Sequence, residues 1–319
     1  MQVVDIQPLT PDASTREYYR ILWNGKPASA CVYPHDNFGN AQFAACLDVT
    51  NVFLSSNLPV AEIFASDEKL GVIIHDDFGN IILRDVLQNS DKSKRETLLN
   101  QAITLIAQTQ AATAKAFNLN SISSKLKFDE EKLLWELNFF KTHYFESLRK
   151  EKLAAEVEKA LVAEFTEIAC ELEQRATVLT HRDFHAANLM LDSENNIKII
   201  DHQDARIGSA SYDLVSLLLD RVTELPTPDW LAEKRKFFLS ERERLGLEQL
   251  NVEDYEREFR LQTIQRCLKA IGTFSFQAAN RGKTNYIQYI NPMFKIVLRA
   301  CEDLERFPNL EMIIRREIL

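Results

Sequence analysis

In the first part of the chain, apolar and polar residues alternate with a period of two, which predicts β-strands. Two of the alternating segments flank Asn24-Gly25, a dipeptide typical of a tight hairpin turn. One stretch, residues 41–56, has the period of a helix instead. We therefore expect a small sheet with one helix, and we place its five strands at residues 2–8, 18–23, 28–33, 59–64 and 70–75.

From about residue 82 onward, apolar residues recur every three or four positions, which predicts helices. The predicted helices cover residues 96–116, 130–145, 154–176, 211–221, 230–245, 252–279 and 290–307. A strand-rich segment followed by a helical one predicts an α+β fold with two lobes, residues 1–79 and 80–319. The ligand of such a protein is expected in the cleft between its lobes.

The candidate catalytic and metal-binding residues lie in the loop at residues 181–188 and at the end of the predicted hairpin that follows it. Asp183 is followed by Asn188 five positions later and by Asp201 thirteen positions after that. This spacing is typical of kinase-type phosphotransferases, in which one carboxylate orients the attacking hydroxyl. An amide oxygen and a second carboxylate are hard ligands of the kind Mg²⁺ prefers. The alternative is a chance match, with Asp183 capping a helix and Asp201 in an exposed turn.

Composition narrows the class of partner. The chain of 319 residues has a formal net charge of −9 and no basic block, which argues against nucleic acid or an anionic membrane as the main partner. Its five cysteines are scattered and lack the spacing of metal ligands, so we expect reduced thiols in a cytoplasmic protein. We see no signal peptide and no apolar run of membrane-spanning length. A small-molecule substrate and a monomeric state are expected.

Several sequence blocks, spread over most of the chain, resemble those of a known family. They lie at residues 12–20, 75–79, 135–140, 201–205, 212–218, 265–274 and 282–286. The chain resembles the aminoglycoside phosphotransferase group of protein-kinase-like enzymes. More narrowly, it is similar to the bacterial kinases that phosphorylate N-acetylmuramate and N-acetylglucosamine at the anomeric hydroxyl during cell-wall recycling.

This resemblance implies a reaction and a role for each residue of the motif. The chain is expected to transfer the γ-phosphate of ATP to a hydroxyl of an N-acetylated amino sugar. Asp183 would be the catalytic base, and Asn188 and Asp201 would bind Mg²⁺.

The expected nucleotide contacts depart from the usual kinase arrangement. The segment expected to cover the phosphates, residues 11–16, contains no glycine, although kinases usually have a glycine-rich loop there. Ser14 and Thr15 could offer hydroxyls and amides in its place, and Arg16 could offer charge. By the resemblance, His75 and Asp77 in the hinge block complete the set that we predict to bind the nucleotide.

The usual lysine–glutamate pair that holds the phosphates is also missing. The matching strand at residues 30–33 has no lysine, and Asp48 is the only acid of the helix at 41–56. Mg²⁺ and Arg16 or Arg20 would then have to neutralise the negative charge of the phosphates. Exposed strand charge is an equal alternative for these two arginines.

Three further polar residues near the motif have open roles. For His185 and His202, a hydrogen-bonded loop histidine is favoured over a second catalytic base. Arg206 could contact the substrate or form a surface ion pair.

Other functions remain as alternatives. One is an aminoglycoside or choline-type small-molecule kinase. Another is a non-catalytic kinase-like module that only binds nucleotide, although none of the three motif residues is lost. A protein kinase is disfavoured because the segment from Asp201 to Tyr212 is too short for a regulated activation loop.

Overall fold

The strands form one five-stranded antiparallel sheet and two short pairs in the described part of the chain. The computed structural model describes residues 6–9, 16–192 and 194–318. The strands are Ile6–Leu9 (β1), Glu17–Trp23 (β2), Lys26–Val32 (β3), Ile63–Asp67 (β4), Val72–Asp76 (β5), Val178–Thr180 (β6), Leu189–Leu191 (β7), Ile197–Ile199 (β8) and Arg206–Gly208 (β9). The sheet order β1-β2-β3-β5-β4 confirms the predicted number of five strands, with residues 2–5 of the first prediction outside the described residues.

The β2–β3 hairpin forms as its turn sequence predicts. Asn24 and Gly25 have φ values of 50° and 79°, the left-handed conformation that a tight two-residue turn requires. Trp23 pairs with Lys26 across the turn. The turn therefore sets the register of the whole hairpin.

The strand predicted at residues 59–64 is wrong in position, because β4 begins only at Ile63. The preceding segment pairs elsewhere. The carbonyl of Pro59 accepts a hydrogen bond of 2.9 Å from the amide of Ile199, and Val60 forms a parallel bridge with the same residue. Proline has no N–H to give to a ladder, which favours this one-sided contact.

The α-helices of the described residues are Asn37–Ser55 (α1), Leu83–Asn89 (α2), Lys92–Ala111 (α3), Thr113–Asn118 (α4), Ile122–Lys125 (α5), Glu130–Lys141 (α6), Ala155–Gln174 (α7), Tyr212–Leu219 (α8), Pro228–Arg244 (α9), Val252–Arg281 (α10), Ile290–Leu304 (α11) and Pro308–Ile318 (α12). A π-helix at Thr142–Arg149 follows α6, and 3₁₀ turns lie at Ala186–Asn188 and Thr284–Tyr289. None of these helices combines the length and hydrophobicity that crossing a lipid bilayer requires.

Helix α1 packs on the five-stranded sheet. Its N-terminus is capped by Asp36, whose carboxylate accepts a hydrogen bond of 2.6 Å from the amide of Gly39. Phe43 of α1 then packs against Cys31 and Ile73 in the core of the sheet. Burial of this apolar face holds the helix on the strands.

Backbone contacts divide the chain into two compact units. Unit 1 contains the described residues within Met1–Leu126 and His181–Arg206, and unit 2 contains those within Lys127–Thr180 and Ile207–Leu319. The lobe boundary at residue 79 stays a prediction. Every candidate site residue that the structure describes belongs to unit 1.

Unit 2 has an aromatic core centred on α6. Phe140 is fully buried and stacks with Tyr144, and it meets Phe165 and Phe294 edge to face. Helix α10 crosses close to the backbone of α6 at Gly272, where an added Cβ would lie only 2.7 Å from the Cα of Phe140. The glycine is therefore needed for the close approach of the two helices.

A charged cluster on unit 2 is centred on Glu171 of α7. Its carboxylate accepts hydrogen bonds of 2.7 Å from both Arg257 and Arg306, and Arg175 lies 3.4 Å away. Burial raises the pKa of Glu171, but the two hydrogen-bonded arginines outweigh burial and hold it at about 2. The carboxylate is therefore more stable ionised in the folded chain than in the unfolded one.

We predict that Glu171→Gln lowers the free energy of unfolding at pH 7 by about 1–3 kcal/mol. Because the folded pKa is depressed, this stabilisation is present above the unfolded value near 4.5 and is lost as pH falls toward 2. Urea denaturation at pH 7, 5 and 4 measures the difference. Glu311→Gln, which removes a surface pair with Arg315, should change stability by less than about 0.5 kcal/mol. Equal effects of the two substitutions would contradict the prediction.

Candidate active site

The motif residues are brought together by the short β7–β8 hairpin. Leu189 pairs with Ile199, and the amide of Ile200 donates a hydrogen bond of 3.1 Å to the carbonyl of Asn188. Asn188 and Ile200 therefore face each other just beyond the strands. Asp201 follows directly, so two of the predicted metal ligands lie at the same end of the hairpin.

The loop before the hairpin is tied to the same end. His181 is buried, with 1% of its surface exposed, and its Nε2 lies 2.9 Å from the carbonyl oxygen of Ile200. Because a carbonyl oxygen can only accept, Nε2 carries the proton and donates. The ring also meets Phe184 edge to face. The start of the loop is thus fixed to the residue that precedes Asp201.

Asp183 and Asn188 are linked within this loop. The backbone carbonyl of Asp183 accepts hydrogen bonds from the side-chain Nδ2 of Asn188 at 3.0 Å and from the amide of His185 at 2.9 Å. With Nδ2 committed to this contact, Oδ1 is the atom of Asn188 that can bind a metal. The loop therefore orients the amide oxygen of Asn188 and ties this residue to Asp183, five positions earlier in the chain.

Asp201 has an unusual backbone and a well-supported carboxylate. Its φ of 62° lies in the left-handed region, where non-glycine residues are uncommon and often mark functional sites. Its Oδ1 accepts hydrogen bonds from Arg16 at 3.0 Å and from Gln203 at 2.9 Å. Oδ2 is then the oxygen of this group best placed to bind a metal.

The charge state of Asp201 follows from these contacts. Desolvation raises its pKa, but the hydrogen bond from Gln203 and the charge of Arg16 outweigh this effect, and the net pKa lies below its ordinary value. The charge of Asp183 acts in the opposite direction and raises the pKa of Asp201. Asp201 is therefore ionised at neutral pH, as a metal ligand must be.

His202 is a buried, hydrogen-bonded residue, in agreement with the favoured interpretation. Its Nε2 lies 2.7 Å from the Thr50 hydroxyl on α1, and its ring stacks on Phe53 at 5.1 Å between centroids. Burial lowers its pKa to about 3, so the ring is neutral at physiological pH. His202 connects α1 to the residue beside Asp201.

The residues predicted to bind the nucleotide differ from one another in their contacts. Ser14 and Thr15 lie outside the described residues. The ring of His75 is hydrogen-bonded at 3.0 Å to the carbonyl of Asp76, and burial lowers the pKa of His75 below its ordinary value. Arg16 contacts Asp201 at the motif. A role for these residues in nucleotide binding stays a prediction.

Asp77 and Arg20 form a clamp between β2 and the segment after β5. The guanidinium of Arg20 is paired with the Asp77 carboxylate through Nε and, at 3.0 Å, through Nη2. Nη2 also lies 3.1 Å from the carbonyl of Gly79 and 3.0 Å from Oδ1 of Asn80. Arg20 is therefore neither an exposed strand charge nor in contact with the motif. A contact of Asp77 with nucleotide stays a prediction.

Two residues that support the motif have no clear signal in the sequence. Gln203 donates a hydrogen bond of 2.9 Å to Asp201, and Thr50 lies 2.7 Å from the neighbouring His202, but neither was predicted from the sequence. The only signal for Thr50 is a polar residue on the buried stripe of a helix. Arg206, left open between two roles, donates to the carbonyl of Asp204 at 3.2 Å.

A family model covers this site and most of the chain. Residues 5–247 match the model of the phosphotransferase enzyme family, and the chain belongs to that family. It is a small-molecule kinase with a protein-kinase-like α+β fold, which confirms the class and fold predicted from the sequence.

Two of the curated relatives have the same name, N-acetylmuramate/N-acetylglucosamine kinase. The N-acetylmuramate/N-acetylglucosamine kinase of Neisseria meningitidis serogroup B is 28% identical over 298 residues, covering 92% of this chain and 85% of the relative. The protein of that name from Pseudomonas aeruginosa is 28% identical over 305 residues, covering 93% and 83%. These relatives confirm the narrower resemblance predicted from the sequence blocks.

Solved structures share the fold at low identity. A microcompartment-associated aminopropanol kinase has a TM-score of 0.63 at 15% identity and covers 94% of this chain and 93% of its own. A streptomycin–ATP–APH(2")-IIa ternary complex has a TM-score of 0.57 at 15% identity and covers 90% and 92%.

The Thr50–His202 contact gives a test of how the motif is supported. We predict that Thr50→Val lowers the free energy of unfolding by about 1–3 kcal/mol, because a buried ring nitrogen loses its partner. The double variant Thr50→Val/His202→Phe should recover to within about 1 kcal/mol of wild type, since both partners become apolar. Urea denaturation of the wild type, the single variant and the double variant gives the three free energies of unfolding.

A matched control is Thr97→Val on the exposed face of α3, which should change stability by less than about 0.5 kcal/mol. A Thr50→Val protein as stable as this control would refute the contact. A double variant no better than the single one would do the same.

Proposed function

We propose that the chain transfers the γ-phosphate of ATP to a hydroxyl of an N-acetylated amino sugar, with the anomeric hydroxyl of N-acetylmuramate or N-acetylglucosamine as the acceptor. The observation that carries the proposal is the convergence of Asp183, Asn188 and Asp201 at one end of the β7–β8 hairpin. The family and the name of the curated relatives support the choice of substrate class.

The donor set suits a magnesium ion. An amide oxygen of Asn188 and a carboxylate oxygen of Asp201 are hard ligands, and Mg²⁺ usually takes only one or two from the protein and the rest from phosphate and water. The depressed pKa of Asp201 keeps that ligand ionised at neutral pH. When bound, the ion would neutralise charge on the transferred phosphate.

Asp183 is proposed as the base of the reaction. Its carboxylate would accept the proton of the sugar hydroxyl as the hydroxyl oxygen forms its bond to the γ-phosphorus. The bond from the γ-phosphorus to the bridging oxygen breaks, and ADP leaves with that electron pair. The hydrogen bonds on the backbone carbonyl of Asp183 hold this residue in a fixed loop, so that its side chain can be presented in one orientation.

The direct test is phosphate transfer from ATP to a panel of acceptors. N-acetylmuramate and N-acetylglucosamine are expected to be phosphorylated, and coupling between phosphorus and the anomeric proton in NMR spectra of the product should identify the C1 position. Transfer to an aminoglycoside or choline with none to any sugar would overturn the substrate assignment. Magnesium-dependent nucleotide binding without any transfer would favour a non-catalytic module. A cytoplasmic location and a monomeric state remain predictions.

We predict that Asp183→Asn lowers kcat about 10²- to 10⁴-fold, because the acceptor hydroxyl loses its base. The dissociation constant for magnesium–ATP should stay within about threefold of wild type, since the metal ligands are retained. Steady-state kinetics and calorimetry measure the two quantities. Asp85→Asn, which changes an exposed carboxylate paired with Arg84, is the matched control and should leave kcat unchanged. Full activity of Asp183→Asn would refute the assignment.

A further inference from the structure

The part of β3 that packs in the sheet has no positively charged side chain. Lysine occurs in this strand only at Lys26, which is exposed at the hairpin turn opposite Trp23. The interior positions around Cys31 are buried and uncharged. Asp48, the only acid of α1, accepts hydrogen bonds from Ser121 and from the amide of Ile122, so it does not hold a cation at the site.

Other cations of unit 1 near the motif have carboxylate partners away from Asp201. Arg20 is paired with Asp77. Arg182 lies 3.0 Å from Asp204 and 3.8 Å from Asp183. Lys198 lies 3.3 Å from Asp192 in the hairpin turn.

Arg16 differs from these cations in where its guanidinium lies. Its Nη2 is 3.0 Å from Oδ1 of Asp201, and its side chain is only 10% exposed. The same guanidinium lies over the rings of Tyr18 on β2 and Tyr33 just after β3, at 5.6 and 5.8 Å from their centroids. Arg16 therefore places a positive charge over these two rings and beside a predicted metal ligand.

Aromatic contacts hold such a charge without fixing its hydrogen bonds. A guanidinium over a tyrosine face is attracted by the ring, and the interaction strengthens when the pair is shielded from water. Its planar fork is also well matched to phosphate oxygens, to which it can donate two parallel hydrogen bonds. The two rings can thus keep Arg16 in place while its donors exchange one anion for another.

We propose that Arg16 takes the place of the missing strand lysine and alternates between two anions. Without metal, its guanidinium neutralises Asp201. With the magnesium–nucleotide complex bound, Arg16 gives up Asp201 and donates to phosphate oxygens of the nucleotide. This inference rests on the proposed function, because it assumes that Asp201 binds the metal of a nucleotide complex.

The test measures metal and nucleotide separately in Arg16→Gln and Arg16→Lys proteins. Without nucleotide, Mn²⁺ binding is followed by electron paramagnetic resonance. The glutamine variant should bind Mn²⁺ about three- to tenfold more tightly, because a competing charge is removed from Asp201. Its dissociation constant for the complex of magnesium with a non-hydrolysable ATP analogue, measured by calorimetry, should rise about 10- to 100-fold.

Opposite shifts in the two affinities separate this role from a structural one, since a damaged fold would weaken both. Arg16→Lys keeps a charge without the fork and should lose less nucleotide affinity than Arg16→Gln. Arg84→Gln, in an exposed pair on the same unit, is the control and should change neither affinity. Asp201→Asn, alone and combined with Arg16→Gln, should remove the tighter Mn²⁺ binding.

Nucleotide affinity within about twofold of wild type in Arg16→Gln would overturn the proposal, as would parallel loss of both ligands. Tighter Mn²⁺ binding that survives Asp201→Asn would also overturn it. If the wild-type protein transfers phosphate and one of these results is found, only the role of Arg16 fails. If the wild-type protein binds no nucleotide, the proposed function fails, and the Mn²⁺ measurements still decide whether Arg16 competes at Asp201.

Discussion

The pairing of β7 with β8 is the constraint on which the candidate site depends. Each strand of this hairpin has three residues. Asn188 directly precedes β7 and Asp201 follows β8, so both lie at the same end, where the amide of Ile200 donates a hydrogen bond to the carbonyl of Asn188. His181 fixes the preceding loop to the same residue. A shift of register by one residue would turn the side chains to the other face and separate the ligands. The fold of unit 1 therefore positions the chemistry through local pairing.

The negative charge of Asp183 opposes ionisation of Asp201, and the surrounding residues outweigh this effect. Asp183 disfavours ionisation of Asp201, while Gln203 and Arg16 favour it. The site is thus built to hold negative charge near a cation, which is the requirement of phosphate transfer. Arg20 takes no part in this balance because Asp77 holds it elsewhere. The guanidinium of Arg16, which directly precedes β2, supplies positive charge beside Asp201.

The features that can be predicted from the sequence are those that depend on residues close together in the chain. The Asn24-Gly25 turn, the β7–β8 hairpin and the spacing of the motif depend on neighbouring residues, and each could be predicted. Helix α12 is not among the predicted helices, although its buried residues Leu310, Ile313 and Ile314 have helical spacing. The role of Thr50 is not predicted because only tertiary packing places its hydroxyl on His202. Long-range partners leave no periodic signal in the sequence.

The central claim is that Asn188 and Asp201 together form the metal-binding side of a phosphate-transfer site, with Asp183 facing the acceptor. A crystal structure of the protein with Mg²⁺ and a non-hydrolysable ATP analogue addresses it most directly. We expect the metal at about 2.0–2.1 Å from Oδ1 of Asn188 and from a carboxylate oxygen of Asp201, with phosphate oxygens and water completing the octahedron. A nucleotide-bound metal that contacts neither residue, or that is ligated by Asp183 instead, would contradict the claim.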